Sequence, residues 1–251
     1  MKRQKIVQLL ILLLSIIFIL AAILYSYVYS ESGNSNVNTI LLSIGCSILA
    51  VVIINFVEYQ IILPEVNTLK IMNLWKLVSI FETRQEMNNE TNKLLKNALE
   101  LDIAAFGSKG LLNFQGEILK ERLTKGLKIR FLVPNKDSAF IRQREVDENA
   151  TTDEIKNNIA RLIAWVESTK KELNLGDGKI LIKEYSSLPT ESIMRIDNDV
   201  FVGPFMINKV SQLTMAYQYK KNGKGYEYYH GYFNRIWDND EITRFVGGDE
   251  K

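Results

Sequence analysis

The chain has 251 residues, enough for one ordinary domain and a membrane anchor, and its formal net charge is only +2. A charge so close to neutral gives no general basic field of the kind that attracts nucleic acid. The single cysteine, Cys46, excludes an internal disulfide and a cysteine-based zinc site. Because histidine and the carboxylates show no ligand spacing, we expect no metal and no cofactor.

The chain begins with two long apolar segments that carry no charged residue. Residues 6–29 and 39–57 are dominated by Leu, Ile, Val and Ala, and residues 31–38 form a short polar turn between them. At about 1.5 Å of rise per residue, helices of this length cross a hydrocarbon core of about 30 Å. We therefore predict a transmembrane α-hairpin within residues 1–63.

Basic residues determine the predicted orientation of this hairpin. Lys2, Arg3 and Lys5 precede the first segment, whereas the polar turn has no basic residue and carries Glu31. The same three residues resemble the start of a signal peptide, but the apolar segment is too long and a second span follows at once. By the positive-inside rule, the N-terminus and everything after Phe56 lie on the cytoplasmic side of the inner (plasma) membrane.

Residues 64–93 are predicted to form a juxtamembrane helix and linker. Apolar residues between Leu69 and Phe81 recur at nearly helical spacing, with Lys70 and Lys76 among them. Such a helix lies at the interface, self-associates or packs on the following domain, and these alternatives stay open. The strongly polar residues 83–93 favour a solvated helix face or a linker, which places the domain boundary before residue 94.

Residues 94–251 are predicted to form an α/β domain in which helices flank a mixed sheet. Strands alternating with helices and then hairpins are typical of this class. The predicted elements are a helical lead-in at 94–100, a strand at 101–106, a helix at 111–125, a strand at 127–133, a helix at 153–173 capped by Thr152, a strand at 179–185, a hairpin at 192–197 and 200–202, a second hairpin that starts with a strand at 213–219 and turns at 221–223, and a last helix at 228–237.

The order of these elements resembles one half of the phospholipase D superfamily. The segments that carry the resemblance are KGLKIRFLVPN, LPTESIMRIDNDVFVGP and YFNRIW, within roughly residues 94–240. In active members the second segment reads His-x-Lys-x-x-x-x-Asp, followed by a turn, an apolar strand and Gly. Asp197 and Gly203 match this pattern, whereas Thr190 and Ser192 stand where histidine and lysine are expected.

The resemblance implies a degenerate catalytic motif. In the family the histidine attacks phosphorus and becomes a covalent intermediate, and the lysine neutralises phosphate charge. Thr190 has no adjacent base and cannot readily replace an imidazole, and His230 belongs to the last helix. Two active histidines would also require a homodimer. We therefore expect the phosphodiester chemistry to be lost, and we assign no catalytic residue.

A phosphate-sized pocket is the candidate site that remains. Strand ends are where open α/β sheets bind ligands, and the candidate residues are Ser108, Lys109, Thr190, Ser192, Arg195 and Asp197. In the alternative interpretation Gly107 and Gly110 make a tight turn, Lys109 is solvated and Asp197 forms a turn. We expect His230, which lies among tyrosines, to have a surface or packing role.

Three functions follow from this organisation. The first is a membrane-anchored, non-enzymatic effector or sensor whose cytosolic domain binds a ligand, or a protein, nucleotide or nucleic-acid partner. Its spans would then respond by homo-oligomerising or by perturbing the lipid bilayer. In outline this is similar to two-span effectors of prokaryotic antiviral systems, such as those that accompany retrons or cyclic-nucleotide synthases. The second is a phosphodiesterase acting on phospholipid or nucleic acid, and the third is a membrane-tethered scaffold.

Overall fold

A computed structural model describes residues 2–28, 35–58 and 62–246 of the chain. The structure divides into two compact units, Met1–Ile71 and Met72–Lys251. The boundary therefore comes earlier in the chain than the predicted one at residue 94.

The first unit contains a pair of packed apolar helices. Helix α1 spans Lys2–Val28 and α2 spans Ser35–Val57. They approach closely at Gly45, where an added Cβ would lie 2.7 Å from a side-chain carbon of Ile19. By length and composition both helices could span a membrane. Helix α2 begins four residues before the predicted span, so residues 35–38 of the predicted polar turn are helical. Residues 31–34 of that turn lie outside the described residues.

Helix α3 (Leu63–Trp75) ends where the second unit's first strand begins. The helical spacing predicted through Phe81 is wrong beyond Trp75. Lys76 adopts a left-handed backbone conformation (φ 50°), and β1 follows at Leu77–Phe81. The predicted juxtamembrane segment at 64–93 thus contains a sheet strand and, after it, helix α4 at Arg84–Leu95, both in the second unit.

The second unit is an α/β domain with a mixed eight-stranded sheet, as the sequence predicted. The strand order is β1-β7-β6-β5-β2-β3-β4-β8. Strands β2, β3 and β4 are mutually parallel, and the other pairs are antiparallel. Beyond β1, the strands are β2 (Glu100–Ala104), β3 (Lys128–Pro134), β4 (Ile180–Tyr185), β5 (Glu191–Ile196), β6 (Asp199–Pro204), β7 (Ala216–Lys220) and β8 (Thr243–Phe245).

Helices cover both faces of this sheet and bury two separate cores. Helix α4 packs on one face with α5 (Lys109–Thr124), α6 (Ala139–Glu148) and α7 (Glu154–Glu172). Helix α8 (Lys224–Trp237) packs on the other face. Alternate strand residues serve the two cores: Ile129 and Phe131 face α5 and α7, whereas Leu132 faces α8. We call these the α7 face and the α8 face.

The predicted strands at 101–106, 127–133 and 179–185 and the hairpin β5–β6 are confirmed, and four other details are corrected. The second hairpin is wrong, because β7 pairs with β6 and β1 and the turn at 221–223 leads into α8. The N-cap of α7 is Asp153 rather than Thr152. The helical lead-in ends at Leu95, and the prediction omitted α6 and β8.

Candidate functional site

A cavity of about 400 Å³ opens at the carboxyl end of β2. The chain enters its wall from β2 through Ala105 and Phe106 and continues into the first turn of α5. Ser192 at the start of β5 and Gly203 near the end of β6 reach the same edge, because β5 runs antiparallel to β2. The cavity therefore lies where a parallel strand ends beside a reversal in chain direction, a common position for ligand sites in α/β sheets.

A tight turn at Gly107 and Ser108 connects β2 to α5. Both residues have left-handed backbone conformations, with φ of 124° and 54°. A Cβ at Gly107 would lie 3.0 Å from backbone atoms of Asn158 and Ile159 in α7, so this position requires glycine on two grounds. The turn directs the first residues of α5 into the cavity wall. The Ser108 hydroxyl oxygen is buried, does not cap α5, and has no hydrogen-bond partner among the described residues.

Arg84, the first residue of α4, forms a buried part of the wall and is only 6% exposed. One terminal nitrogen donates hydrogen bonds to the carbonyl oxygens of Gly203 (2.7 Å) and Pro204 (2.8 Å). Its Nε has no partner in the described part of the chain. Burial first, and the charge of Arg144 second, lower the pKa of Arg84 to about 10, which leaves it cationic at neutral pH.

A second buried arginine, Arg144 of α6, holds the loop that closes this side of the cavity. It donates to the carbonyl oxygen of Met206 (2.9 Å) and to the hydroxyl of Ser211 (3.2 Å), and it forms an ion pair with Glu148. Its guanidinium carbon lies 5.0 Å from the centre of the Phe205 ring, which Arg84 also approaches at 5.2 Å. These contacts fix residues 205–211 over the cavity.

The remaining lining combines aromatic rings with amides and hydroxyls. Phe106 and Phe205 meet edge to face at 4.7 Å. Gln115 donates to Thr91 (3.3 Å), but its carbonyl oxygen is buried without a partner among the described residues. Lys109 is paired with Glu154 at 3.2 Å on the rim. The hydrogen bond from Lys109 is the main cause of the lowered pKa of Glu154. Because this ion pair is exposed, it contributes little to stability.

Three of the six predicted site residues meet at this cavity. Ser108, Lys109 and Ser192 line it. Thr190 is exposed and is not among the lining residues, although its carbonyl oxygen accepts a hydrogen bond from the Phe205 amide at 3.3 Å. Arg195 lies on the α8 face, because it is three residues from Ser192 on the same strand and side chains alternate between faces.

Asp197 lies at the opposite end of β2 from the cavity. Its carboxylate accepts hydrogen bonds from the amides of Leu99 (3.0 Å) and Glu100 (2.8 Å), and its own φ is 48°. The position of Asp197 therefore agrees with the alternative turn-forming interpretation.

Arg195 belongs to a buried ionic network centred on Asp102, which is 1% exposed. Asp102 accepts hydrogen bonds from Arg195 and from Arg130 (2.6 and 2.9 Å), and the His230 ring lies 3.6 Å away. Burial alone would raise the pKa of Asp102, but hydrogen bonds from His230, Arg130 and Arg195 together outweigh it and hold the pKa well below its usual range. His230 is thus a packing residue of the α8 face, with the sheet between it and the cavity.

The sequence interpretation missed Arg84, Arg144, Gln115 and Phe205. Only Arg84 had a local signal: Thr83 accepts a hydrogen bond from the amide of Glu86 (3.2 Å), and the T-x-x-E pattern marks a helix start rather than a linker. No group of three or more His, Cys, Asp or Glu residues in the described ranges could hold a metal ion.

No protein-family profile matches the sequence, and no curated protein matches it. The solved structures that are similar to this chain include two at low identity. An archaeal chromatin protein, TrmBL2, whose structure shows a novel mode of DNA binding, matches with 14% identity and a TM-score of 0.43 over 78% of this chain and 69% of its own. NucT from Helicobacter pylori matches with 13% identity and a TM-score of 0.39 over 64% of this chain and 94% of its own.

Proposed function

We propose that this chain is a membrane-anchored, non-enzymatic sensor or effector whose α/β domain binds a small polar ligand in the cavity beside β2. One observation carries the proposal: three residues that line the cavity have buried polar atoms without partners among the described residues. These atoms are the Ser108 hydroxyl oxygen, the Gln115 carbonyl oxygen and the Arg84 Nε. An unsatisfied buried polar atom costs about 1–3 kcal/mol, so a molecule whose entry shifts the cavity wall enough to supply the missing hydrogen bonds is favoured.

The chemistry of the wall narrows the class of ligand. Arg84 and Ser108 offer donors, Gln115 offers an acceptor, and Phe106 and Phe205 offer ring faces or edges. Both carboxylates in the wall, Glu148 and Glu154, already have cationic partners. The proposed ligand therefore combines hydrogen-bond acceptors with a flat apolar part and carries little net charge, because the free cationic surface is small.

A binding role is supported over phosphodiester hydrolysis by the residues at the cavity. The described lining residues include neither histidine nor cysteine, and His230 lies on the other face of the sheet. In the phospholipase D-like interpretation, Ser192 lines the cavity at the position of the family's lysine, and Thr190 is exposed at the position of its histidine. A hydroxyl without a neighbouring base is a poor nucleophile for phosphorus.

The membrane part of the proposal rests on helices α1 and α2. Both could span a membrane, and the basic residues in the first turns of α1 favour a cytoplasmic domain. Ligand binding would then alter homo-oligomerisation of the spans or perturb the bilayer, with a role in prokaryotic antiviral defence as one proposed setting. Alkaline carbonate extraction of membranes tests the anchor, because release of the full chain would contradict it.

The binding role is tested with the full chain purified in detergent. Thermal unfolding is measured with a panel of nucleobases, nucleosides and cyclic mononucleotides, which combine hydrogen-bond acceptors with a flat ring and carry little net charge. We expect at least one compound to raise the unfolding temperature of the wild type, and Ser108→Ala and Gln115→Leu to weaken that shift. Ser168→Ala is the matched control, since this serine is exposed on α7.

Two results would contradict the binding role. One is that no compound in the panel shifts the unfolding temperature. The other is turnover of bis(4-nitrophenyl) phosphate by the wild type that Thr190→Ala abolishes, which would favour the phosphodiesterase. A scaffold that binds no ligand would instead retain its protein partners in membrane pull-downs, both as the wild type and as the cavity variants.

A further inference from the structure

A strip of aromatic side chains runs from the end of α3 across β7 to α8. The rings of Trp75 and Tyr219 have centroids 6.2 Å apart, Tyr219 stacks on Tyr229 at 5.8 Å, and Tyr229 meets Tyr228 edge-on at 5.1 Å. Tyr217 extends the strip along β7, 6.4 Å from Tyr219. Tyr228 is 59% exposed and Trp75 is 37% exposed, so the strip presents aromatic surface to its surroundings.

Four exposed lysines lie around one end of this aromatic strip, of which Lys220, the last residue of β7, is on the face of the strand opposite to Tyr219. They are gathered by backbone contacts around the β7–α8 turn: the Lys220 amide donates to the carbonyl oxygen of Lys76 (3.0 Å), and the Lys221 amide donates to that of Asn198 (2.8 Å). The turn passes so close to Lys76 that a Cβ at Gly223 would overlap its side chain. The fourth lysine, Lys224, opens α8 one turn before Tyr228.

The four lysines outnumber the acidic residues close to them. These are Glu227 on α8, Glu191, whose charge acts on Tyr219 and Tyr229, and Asp199, which lies opposite Lys220 in the β6–β7 register. In the part of the chain that the structure describes, none of the four ammonium groups has an ion-pair partner. Glu227 on the first turn of α8 is the one acidic residue in the same stretch of chain, residues 216–228. We call the five rings and four lysines together the basic-aromatic strip.

We propose that the basic-aromatic strip docks on the surface of an anionic lipid bilayer. Tryptophan and tyrosine prefer the headgroup region, where the ring is apolar and the N–H or O–H stays wet. Lysines at the same level attract anionic headgroups while their alkyl stems cover apolar surface. This inference rests on the proposed membrane anchor, and it adds a second, reversible contact between the domain and the membrane.

Chain connectivity favours lipid over other partners for this strip. Helix α3 begins six residues after α2, the second helix that could span a membrane, and its last residue, Trp75, belongs to the strip. Near that end α3 also exposes the apolar side chains of Met72 and Leu74. A cytoplasmic domain would meet the anionic leaflet of the membrane, whose charge is opposite to that of the lysines.

The experiment uses the full chain in nanodiscs made of phosphatidylcholine, with or without phosphatidylserine, and with brominated acyl chains that quench tryptophan. The chain has three tryptophans, so the contribution of Trp75 is obtained as the difference between the wild type and Trp75→Phe. We expect quenching of Trp75 to be stronger with phosphatidylserine. This added quenching should be lost in the triple variant Lys220→Glu, Lys221→Glu, Lys224→Glu.

A charge-matched control separates docking from a general change in net charge. The triple variant Lys128→Glu, Lys136→Glu, Lys171→Glu alters three other exposed lysines and should retain the added quenching. Equal quenching with and without phosphatidylserine, or equal effects of the two triple variants, would overturn the proposal. So would an oligothymidylate that binds the wild type but not the strip variant and protects Trp75 from bromine, because nucleic acid would then be the occupant.

Failure of docking is distinguishable from failure of the proposed function. If alkaline carbonate releases the chain from membranes, the anchor itself is contradicted. If the chain stays in the membrane and phosphatidylserine does not add to the quenching of Trp75, only the docking surface is contradicted. The thermal shifts given by cavity ligands are measured in detergent and are independent of both results.

Discussion

The two faces of the sheet each bury arginines, but they treat these charges differently. On the α8 face, Arg130 and Arg195 converge on the carboxylate of Asp102, with Glu100 and Asn234 completing their hydrogen bonds. On the α7 face, Arg84 donates to main-chain carbonyl oxygens and its Nε is left without a partner among the described residues. Charged side chains that pair with each other within the protein hold the packed helix and sheet together. A charged side chain with an unsatisfied hydrogen-bonding group can instead bind another molecule.

This difference also separates the residues that can bind from those that stabilise. Arg195 and His230 are polar residues of the kind expected in a site, yet both are committed to Asp102. Ser108 and Gln115 look unremarkable in the sequence, yet their unpartnered atoms lie in residues that line the cavity. The comparison therefore predicts that α8-face substitutions change stability more than ligand binding, and that cavity substitutions do the reverse.

The largest expected effect is the loss of stability in Asp102→Ala. Removing the carboxylate leaves the buried Arg195 and the half-buried Arg130 without their main partner, and breaking a buried ion pair in this way costs about 3–5 kcal/mol. The free energy of unfolding is measured by denaturant titration of the full chain in detergent. Asp177→Ala, at an exposed position, is the control and should stay within about 0.5 kcal/mol of the wild type. A loss in Asp102→Ala no larger than in the control would show that the network does not stabilise the fold.

The same network predicts a pH dependence whose sign is fixed by the lowered pKa of Asp102. The ionised carboxylate stabilises the folded state at every pH above the unfolded value of about 3.9, and this contribution is lost as the pH falls through the lower folded pKa. Denaturant titrations should therefore show a loss of stability below about pH 4 that is smaller in Asp102→Asn than in the wild type. Asp177→Asn should keep the wild-type slope, and parallel slopes in all three proteins would exclude Asp102 as the source.

A smaller loss is expected in Gly107→Ala at the turn into α5. The new methyl group would meet backbone atoms of α7 at 3.0 Å and would also force alanine to adopt a φ of 124°. Gly126 is a matched control, because its φ is 103° and an added Cβ there would have no neighbour within 4 Å. We expect Gly107→Ala to lose about 1–3 kcal/mol more than Gly126→Ala, the usual range for an overpacked site. Equal losses in thermal unfolding would mean that the turn has room and does not rest on α7.

The parts of the fold that the sequence predicted are those with a strong local pattern. Strands β3 and β4 are buried on both faces and are rich in Ile, Leu, Val and Phe, although each also contains charged residues, and the polar residues at 197–199 mark the turn of the hairpin. Strand β1 had no such signal: its exposed Val78 and Ile80 alternate with half-buried residues, and together with α3 they imitate helical spacing. Its pairing with β7, far along the chain, decides its structure.

The candidate site was predictable only where it depended on strand ends and turns. Ser108 and Ser192 follow from the positions of β2 and β5. Including Arg195 in the same pocket as Ser192 was avoidable, since residues three apart on a strand point to opposite faces. Arg84 and Phe205 come from separate segments that meet only in the folded domain, at 5.2 Å. No spacing in the sequence records such a contact.

The smallest effect on stability, and the sharpest test of the comparison, is expected in Ser108→Ala. Its hydroxyl oxygen has no hydrogen bond to lose among the described residues, so the free energy of unfolding should stay within about 0.5 kcal/mol of the wild type or rise. If the cavity binds a ligand through this oxygen, the same variant should reduce the thermal shift given by the active compound. The corresponding loss of binding free energy is about 1–3 kcal/mol, the cost of a lost hydrogen bond to a buried partner. Thr214→Ala is the contrasting variant, because that buried hydroxyl donates to the Ser211 carbonyl oxygen at 2.9 Å, and it should lose stability. A clear loss of stability in Ser108→Ala, with ligand binding unchanged, would assign the hydroxyl to the fold and remove the main distinction between the two faces.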